Sequence, residues 1–253
     1  MRNLEQRVWM IAGVVLALAA GTWLALHDPD LSRLPPADID RLRMHADHGK
    51  DASALKSLRL AASQGHAGAM QAAASVLLHH PQWDRDGDAL LLAQAAARHG
   101  ASSAQYLLAK AYFDGAPSRQ RDATLARQWF EKAADQKHPQ AAYLLGLVYK
   151  NGDGTAADPG QSARWFERSA QLGNPDAMFM LANAHLAGEG VERNPREALR
   201  LYMNAAALDH PLAAQSIALA FKEGQLGLPQ SERQSQQMML GVAHSLHHPH
   251  SAF

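Results

Sequence analysis

Apolar and polar residues alternate along this chain with the period of an α-helix. Ala141, Leu145 and Tyr149 stand at i, i+4 and i+8 and form one apolar stripe, while Ala126, Trp129, Phe130 and Ala133 form another. Such spacing places each set on one face of a helix. Between the stripes the sequence supplies stop and start signals. The turn "KNGDG" at 150–154 ends one helix, because glycine tolerates the left-handed residue that closes a helix C-terminus. Asp158 with Pro159, and Asn194 with Pro195, then offer an N-cap followed by a first-turn proline. The pattern predicts helical hairpins, and Trp129 and Trp165 are expected to fill the core between their helices.

These signals recur at a fixed interval of 36 residues. Trp129 and Trp165 are followed at that step by Leu201; Phe130, Phe166 and Tyr202 march beside them, as do Ala134, Ala170 and Ala206. Pro139, Pro175 and Pro211 keep the step, and so do Leu145, Leu181 and Ile217, and Gly152, Gly188 and Gly224. Upstream the beat continues with slips of one residue: 95–115 matches 132–152 at an offset of 37, and 60–78 matches 95–115 at 35. Both slips fall in loops, where an extra residue adds little closure entropy.

A glycine loop running into a helix, as at 151–174, also raises the possibility of a phosphate cradle. That reading needs a strand before the glycines, whereas here a helix precedes them and the loop returns wherever the period requires a turn. A structural turn is the expectation.

Residues 141–154, "AAYLLGLVYKNGDG", with 162–170, "SARWFERSA", resemble the Sel-one-like repeat, a longer-looped relative of the tetratricopeptide repeat. The resemblance covers roughly residues 50–225 and weakens at both ends, where Leu201 replaces the tryptophan and the unit near 80–100 lacks the glycine pair. It implies an all-α fold: a right-handed α-solenoid of about six stacked hairpins, used as a non-enzymatic scaffold for protein or peptide partners. Bacterial exported relatives of this kind resemble adaptors of the cell envelope. Some secreted relatives are disulfide-stapled, and the absence of cysteine separates this chain from them.

The first 26 residues carry a different pattern. Val8 to Leu26 is a run of 19 residues without a charge, long enough to cross a bilayer as a helix. Arg2 and Arg7 precede it and Asp28 and Asp30 follow, so the positive-inside rule sends the remainder of the chain across the membrane. A cleaved signal peptide is the alternative, since "ALA" at 17–19 has the small-residue spacing of a cleavage site. The expected organisation is an anchor or signal over 1–26, a juxtamembrane linker over 27–36, the repeat solenoid over 37–246 and a His-rich tail over 247–253. The expected location is a bacterial inner membrane with the C-terminal domain periplasmic.

Charge and composition narrow the partners. Twenty-four basic side chains are matched by 24 acidic ones, so no bulk field attracts nucleic acid. Without cysteine there are no thiolate metal sites and no cysteine nucleophile. His244 with His247 or His248 could meet on one helical face at a spacing that suits nickel or zinc, yet no carboxylate completes a set. His79, His80, His99, His138 and His210 are read as helix-end residues that complement the dipole. Asp153 and Glu189 recur with the period and do not form an acid pair; no catalytic set and no cofactor is read.

Subtracting the core columns from the first helix of each hairpin leaves Leu107, Lys110, Leu144, Leu147, Met180, Asn183, Ser216 and Leu219 as candidates for an inward-facing groove. The leucines and Met180 would anchor a peptide while Lys110 and Asn183 fix its polar ends. The alternatives are that these residues only pack against adjacent helices, or that the surface binds cell-wall glycan through Tyr106, Tyr143 and Phe179.

Overall fold

The computed structural model of the chain describes residues 31, 33–84, 86–115 and 120–247. Among the described residues there are twelve α-helices, one 3-10 turn at Pro81–Trp83 and no strand. The apolar run Val8–Leu26 and the tail beyond His247 lie outside them, and none of the described helices is long and apolar enough to cross a membrane. The chain divides into two compact units, one ending at Arg121 and the other beginning at Asp122.

The first unit contains α1 (Pro36–Asp47), α2 (Ala52–Ser63), α3 (Ala67–His79), α4 (Asp88–Arg98) and α5 (Ser102–Asp114), each packed on the next. Leu42, Leu58, Val76 and Leu77 are buried in its core among alanines at 61, 69 and 73. The described end of the 27–36 stretch is docked on this unit. Leu31 and Leu34 are buried in the same core, Leu31 N donates to Gln64 Oε1 at 2.6 Å, and the Leu34 carbonyl accepts from His66 Nε2 at 2.9 Å.

The second unit contains α6 (Ala123–Asp135), α7 (Pro139–Asn151), α8 (Pro159–Gln171), α9 (Pro175–Ala187), α10 (Pro195–Ala207), α11 (Pro211–Glu223) and α12 (Glu232–His247). After α6 these form three hairpins, α7 with α8, α9 with α10 and α11 with α12. The boundaries fall where the local signals require them. Asp122, Asp158 and Asn194 each accept a hydrogen bond from a backbone N–H of the first turn they cap. Gly152, Gly188 and Gly224 take left-handed backbone at the helix ends, with φ of 76°, 73° and 67°, and close α7, α9 and α11. Two serines tie the first of these hairpins together: Ser162 Oγ donates to the Gly146 carbonyl at 2.9 Å and Ser169 Oγ to the Pro139 carbonyl at 2.8 Å.

One expectation about the core is corrected. Phe130, Phe166 and Tyr202 are 0%, 2% and 2% exposed, whereas Trp129 and Trp165 are only half-buried. Neighbouring residues on a helix point about 100° apart, so only one of two adjacent aromatics can enter the core. Ala126, Phe130 and Ala133 share the buried face, and the tryptophan is turned to its edge. There a cation covers each indole: Lys132 Nζ lies 3.9 Å from the Trp129 ring centre and Arg168 Cζ 4.4 Å from that of Trp165.

Candidate functional site

Helices α3, α7, α9 and α11 each begin with a polar side-chain cap, whereas α5 begins at Ala101 without one. Nδ1 of His66, His138 and His210 accepts from the backbone N–H three residues on, at 3.1, 3.2 and 3.1 Å, and Asn174 Oδ1 does the same for Ala177. An imidazole that accepts through Nδ1 must be neutral, with its proton on Nε2. Burial accordingly holds His138 below the ordinary histidine range. The expectation that His138 and His210 complement the negative end of a dipole is therefore reversed, since both sit at helix N-termini. The free edge of the cap reaches the preceding hairpin: Asn174 Nδ2 donates to Gln140 Oε1 at 2.9 Å, and His210 Nε2 lies 3.3 Å from Asp176 Oδ1. Periodic histidines and asparagines before a proline are the sequence signal for this clamp. Without the helix boundary an N-cap histidine and a C-terminal one look alike in sequence.

The glycine turns also join hairpins and hold no cradle. A Cβ on Gly154 would lie 2.6 Å from the backbone of Ala123 and Thr124 at the start of α6, and one on Gly190 would lie 2.0 Å from the Pro159 carbonyl oxygen at the start of α8. In these two turns the second glycine is thus the point where one hairpin touches the backbone of the helix before it. Asp153 and Glu189 belong to the same closure, their N–H groups donating to the Val148 and Ala184 carbonyls.

The eight candidate residues occupy two columns on α5, α7, α9 and α11. Leu107, Leu144, Met180 and Ser216 are all half-buried. In the second column Lys110 and Leu219 are exposed, while Leu147 and Asn183 are half-buried. In the first unit Leu107 and Lys110 line an open groove of about 560 Å³ with Leu78, Pro81 and Arg121, and Lys110 pairs with Asp114 one turn away. In the second unit Leu147 and Met180 pack against the core. Asn183 is held by a phenol: Tyr202 donates to Asn183 Oδ1 at 2.5 Å, while Ser216 Oγ donates to the Leu212 carbonyl at 2.8 Å. Burial raises the Tyr202 phenol above its ordinary range. Ser216 and Leu219 line a second groove, of about 510 Å³, between α11 and α12.

Two of the three aromatics proposed for glycan, Tyr143 and Phe179, face other rings of the protein. Tyr143 lies against Phe166 with ring centres 6.0 Å apart, and Phe179 against Tyr202 and His210 at 5.7 and 4.8 Å. Those rings stabilise the hairpins and leave no open stacking platform at Phe179. Among the described residues no group of three or more histidines, cysteines or carboxylates could hold a metal ion.

Helical hairpins stacked at a 36-residue step, with glycine turns and capped first helices, define a helical-repeat solenoid fold. The Sel1 repeat matches the chain at residues 102–138, 139–174 and 175–210, and these residues belong to the Sel1 repeat family. A protective antigen of uropathogenic Escherichia coli that displays an SLR fold is 25% identical, with a TM-score of 0.71 over 83% of this chain. The chain spans only 46% of that antigen. A Sel1 repeat protein of Oxalobacter formigenes is 22% identical, with a TM-score of 0.72 over 83% of this chain and 88% of its own. An immunity protein of Pseudomonas aeruginosa is 17% identical, with a TM-score of 0.55 over 91% of this chain and 90% of its own. No curated protein matches in sequence.

Proposed function

We propose that the chain is a non-enzymatic scaffold, tethered to a membrane through Val8–Leu26, that binds a protein or peptide partner in the cell envelope. The observation that carries the binding role is the open groove of the first unit, about 560 Å³, in which apolar Leu78, Pro81 and Leu107 stand beside Arg121 and the Lys110–Asp114 ion pair. Leucines that are only half-covered, next to oriented charge, suit a peptide with apolar anchors and an acidic end. The half-buried Leu144 and Met180 of the second unit offer the same chemistry on equivalent helix positions. The fold shared with the Pseudomonas aeruginosa immunity protein and the Escherichia coli antigen supports a role in recognition. The tether rests on the length of the charge-free run and on the arginines before it.

The test is photo-crosslinking in intact cells from a reactive side chain placed at Leu107. One protein adduct is expected, recovered with the membrane fraction and lost when Lys110→Glu is added. An adduct that forms equally from the exposed Gln128 of α6 contradicts the groove, and recovery of the chain in the soluble cytoplasmic fraction contradicts the tether.

A further inference from the structure

The stretch that joins the charge-free run to the first helix is shorter in space than in sequence. Leu31 and Leu34 are buried in the core of the first unit. Leu31 N donates to Gln64 Oε1 at 2.6 Å, and His66 Nε2 donates to the Leu34 carbonyl at 2.9 Å. Only residues 27–30 therefore stand between Leu26 and the docked Leu31, and five Cα steps reach at most about 18 Å.

The clamp also selects one edge of the unit. Helices α1 to α5 pack each on the next and alternate in direction, so α1, α3 and α5 begin where α2 and α4 end. Ser103 Oγ in the first turn of α5 accordingly donates to Gln71 Oε1 of α3 at 3.0 Å. Gln64 and His66, which hold the strap, lie on this edge in the turn between α2 and α3. The groove lies at the other edge, with Leu78 and Pro81 at the end of α3 and Lys110 and Asp114 at the end of α5. The 13 residues of α3 separate the two edges by about 20 Å.

Charge distinguishes the edges as well. Near the clamp, residues 31–38, 60–70 and 95–106 contain one carboxylate, Asp38, which pairs with Arg41 at 3.3 Å. Arg33, Arg98 and His99 are exposed there. The groove edge, over residues 45–54, 79–90 and 110–115, has six aspartates against three lysines and arginines. Asp28 and Asp30 belong to the connector and weigh equally on either orientation.

We propose that the clamp stands the first unit on the bilayer by its basic edge, so that the groove opens into water and takes a water-exposed segment of its partner, not a membrane-embedded one. This orientation rests on the membrane tether and the groove proposed above. The short connector brings the clamped edge to the headgroup layer, and an anionic layer attracts Arg33 and Arg98 while repelling the aspartates of the groove edge.

The chain has no cysteine, so a single introduced thiol carries a fluorophore without background. Full-length His99→Cys and Gln82→Cys, both at exposed positions and on opposite edges, are labelled and reconstituted in vesicles of zwitterionic and anionic phospholipid with nitroxide-bearing headgroups. Quenching at residue 99 is expected to be at least threefold that at residue 82. A flexible Gly-Ser spacer of about twelve residues, inserted between Leu26 and His27, should bring the two labels to equal quenching. Failure of the protein to float with the vesicles contradicts the tether itself. Flotation with equal quenching in the chain without the spacer, stronger quenching at residue 82, or a difference that survives the spacer overturns the orientation.

Discussion

Phe166→Ala is expected to destabilise the protein by about 3–5 kcal/mol, the range for removing a buried aromatic whose site cannot collapse. The side chain is 2% exposed and its ring fits against Gly146, where a Cβ would stand only 2.6 Å from Phe166 Cδ1 and Cε1. Ser162 and Ser169 hold helix α7 at its middle and its start, which limits how far it can close on the vacancy. Trp165→Ala is the informative comparison. It removes a larger side chain, yet one that is half-buried and covered by Arg168. The loss there combines partial burial with a cation–π contact of about 0.5–1 kcal/mol and should stay below that of Phe166→Ala. Urea unfolding of the two variants decides the matter, and a larger loss for Trp165→Ala would reverse the assignment of the core column.

Gly190→Ala is expected to cost about 2–5 kcal/mol, from two sources that a second glycine separates. Gly190 has φ of 72°, and a left-handed residue with a Cβ costs roughly 1–2 kcal/mol. The added methyl would also lie 2.0 Å from the Pro159 carbonyl oxygen, so the hairpins must move apart, at a cost of roughly 1–3 kcal/mol for overpacking. Gly173 has φ of 87° and open space around its missing Cβ, so Gly173→Ala carries the conformational cost alone. The difference between the two unfolding free energies measures the contact between hairpins. Equal losses would mean that the glycine turn serves its own loop and not the stack.

Much of this architecture was legible because each repeat presents the same local signals. Asp158, Pro159, Gly188 and Asn194 act within a few residues of themselves, and their roles in capping and closing helices could be read from neighbours in sequence. What could not be read depends on a third dimension. Trp165 and Phe166 are adjacent, and which of them enters the core is decided by how α8 rolls against α7. His138 and His210 differ from a dipole-complementing histidine only by which side of a helix boundary they stand on. The candidate surface was legible as columns of equivalent positions, but not in its use. Asn183 is drawn to the Tyr202 hydroxyl and Ser216 to the Leu212 carbonyl, while Leu107 and Lys110 line an open groove, because the residues facing them differ from repeat to repeat.

The claim beneath all of this is that the hairpins α7–α8 and α9–α10 of the second unit are interchangeable, sharing the polar clamp, the glycine contact and the buried aromatic. Removing residues 175–210 tests it most directly, because the cut joins the Asn174 cap to Pro211 just as it now meets Pro175. A quasi-one-dimensional stack should tolerate the loss of one unit: helical circular dichroism per residue stays unchanged and thermal unfolding remains a single transition at a lower temperature. Loss of the helical signal, or a chain that no longer unfolds cooperatively, would contradict the account.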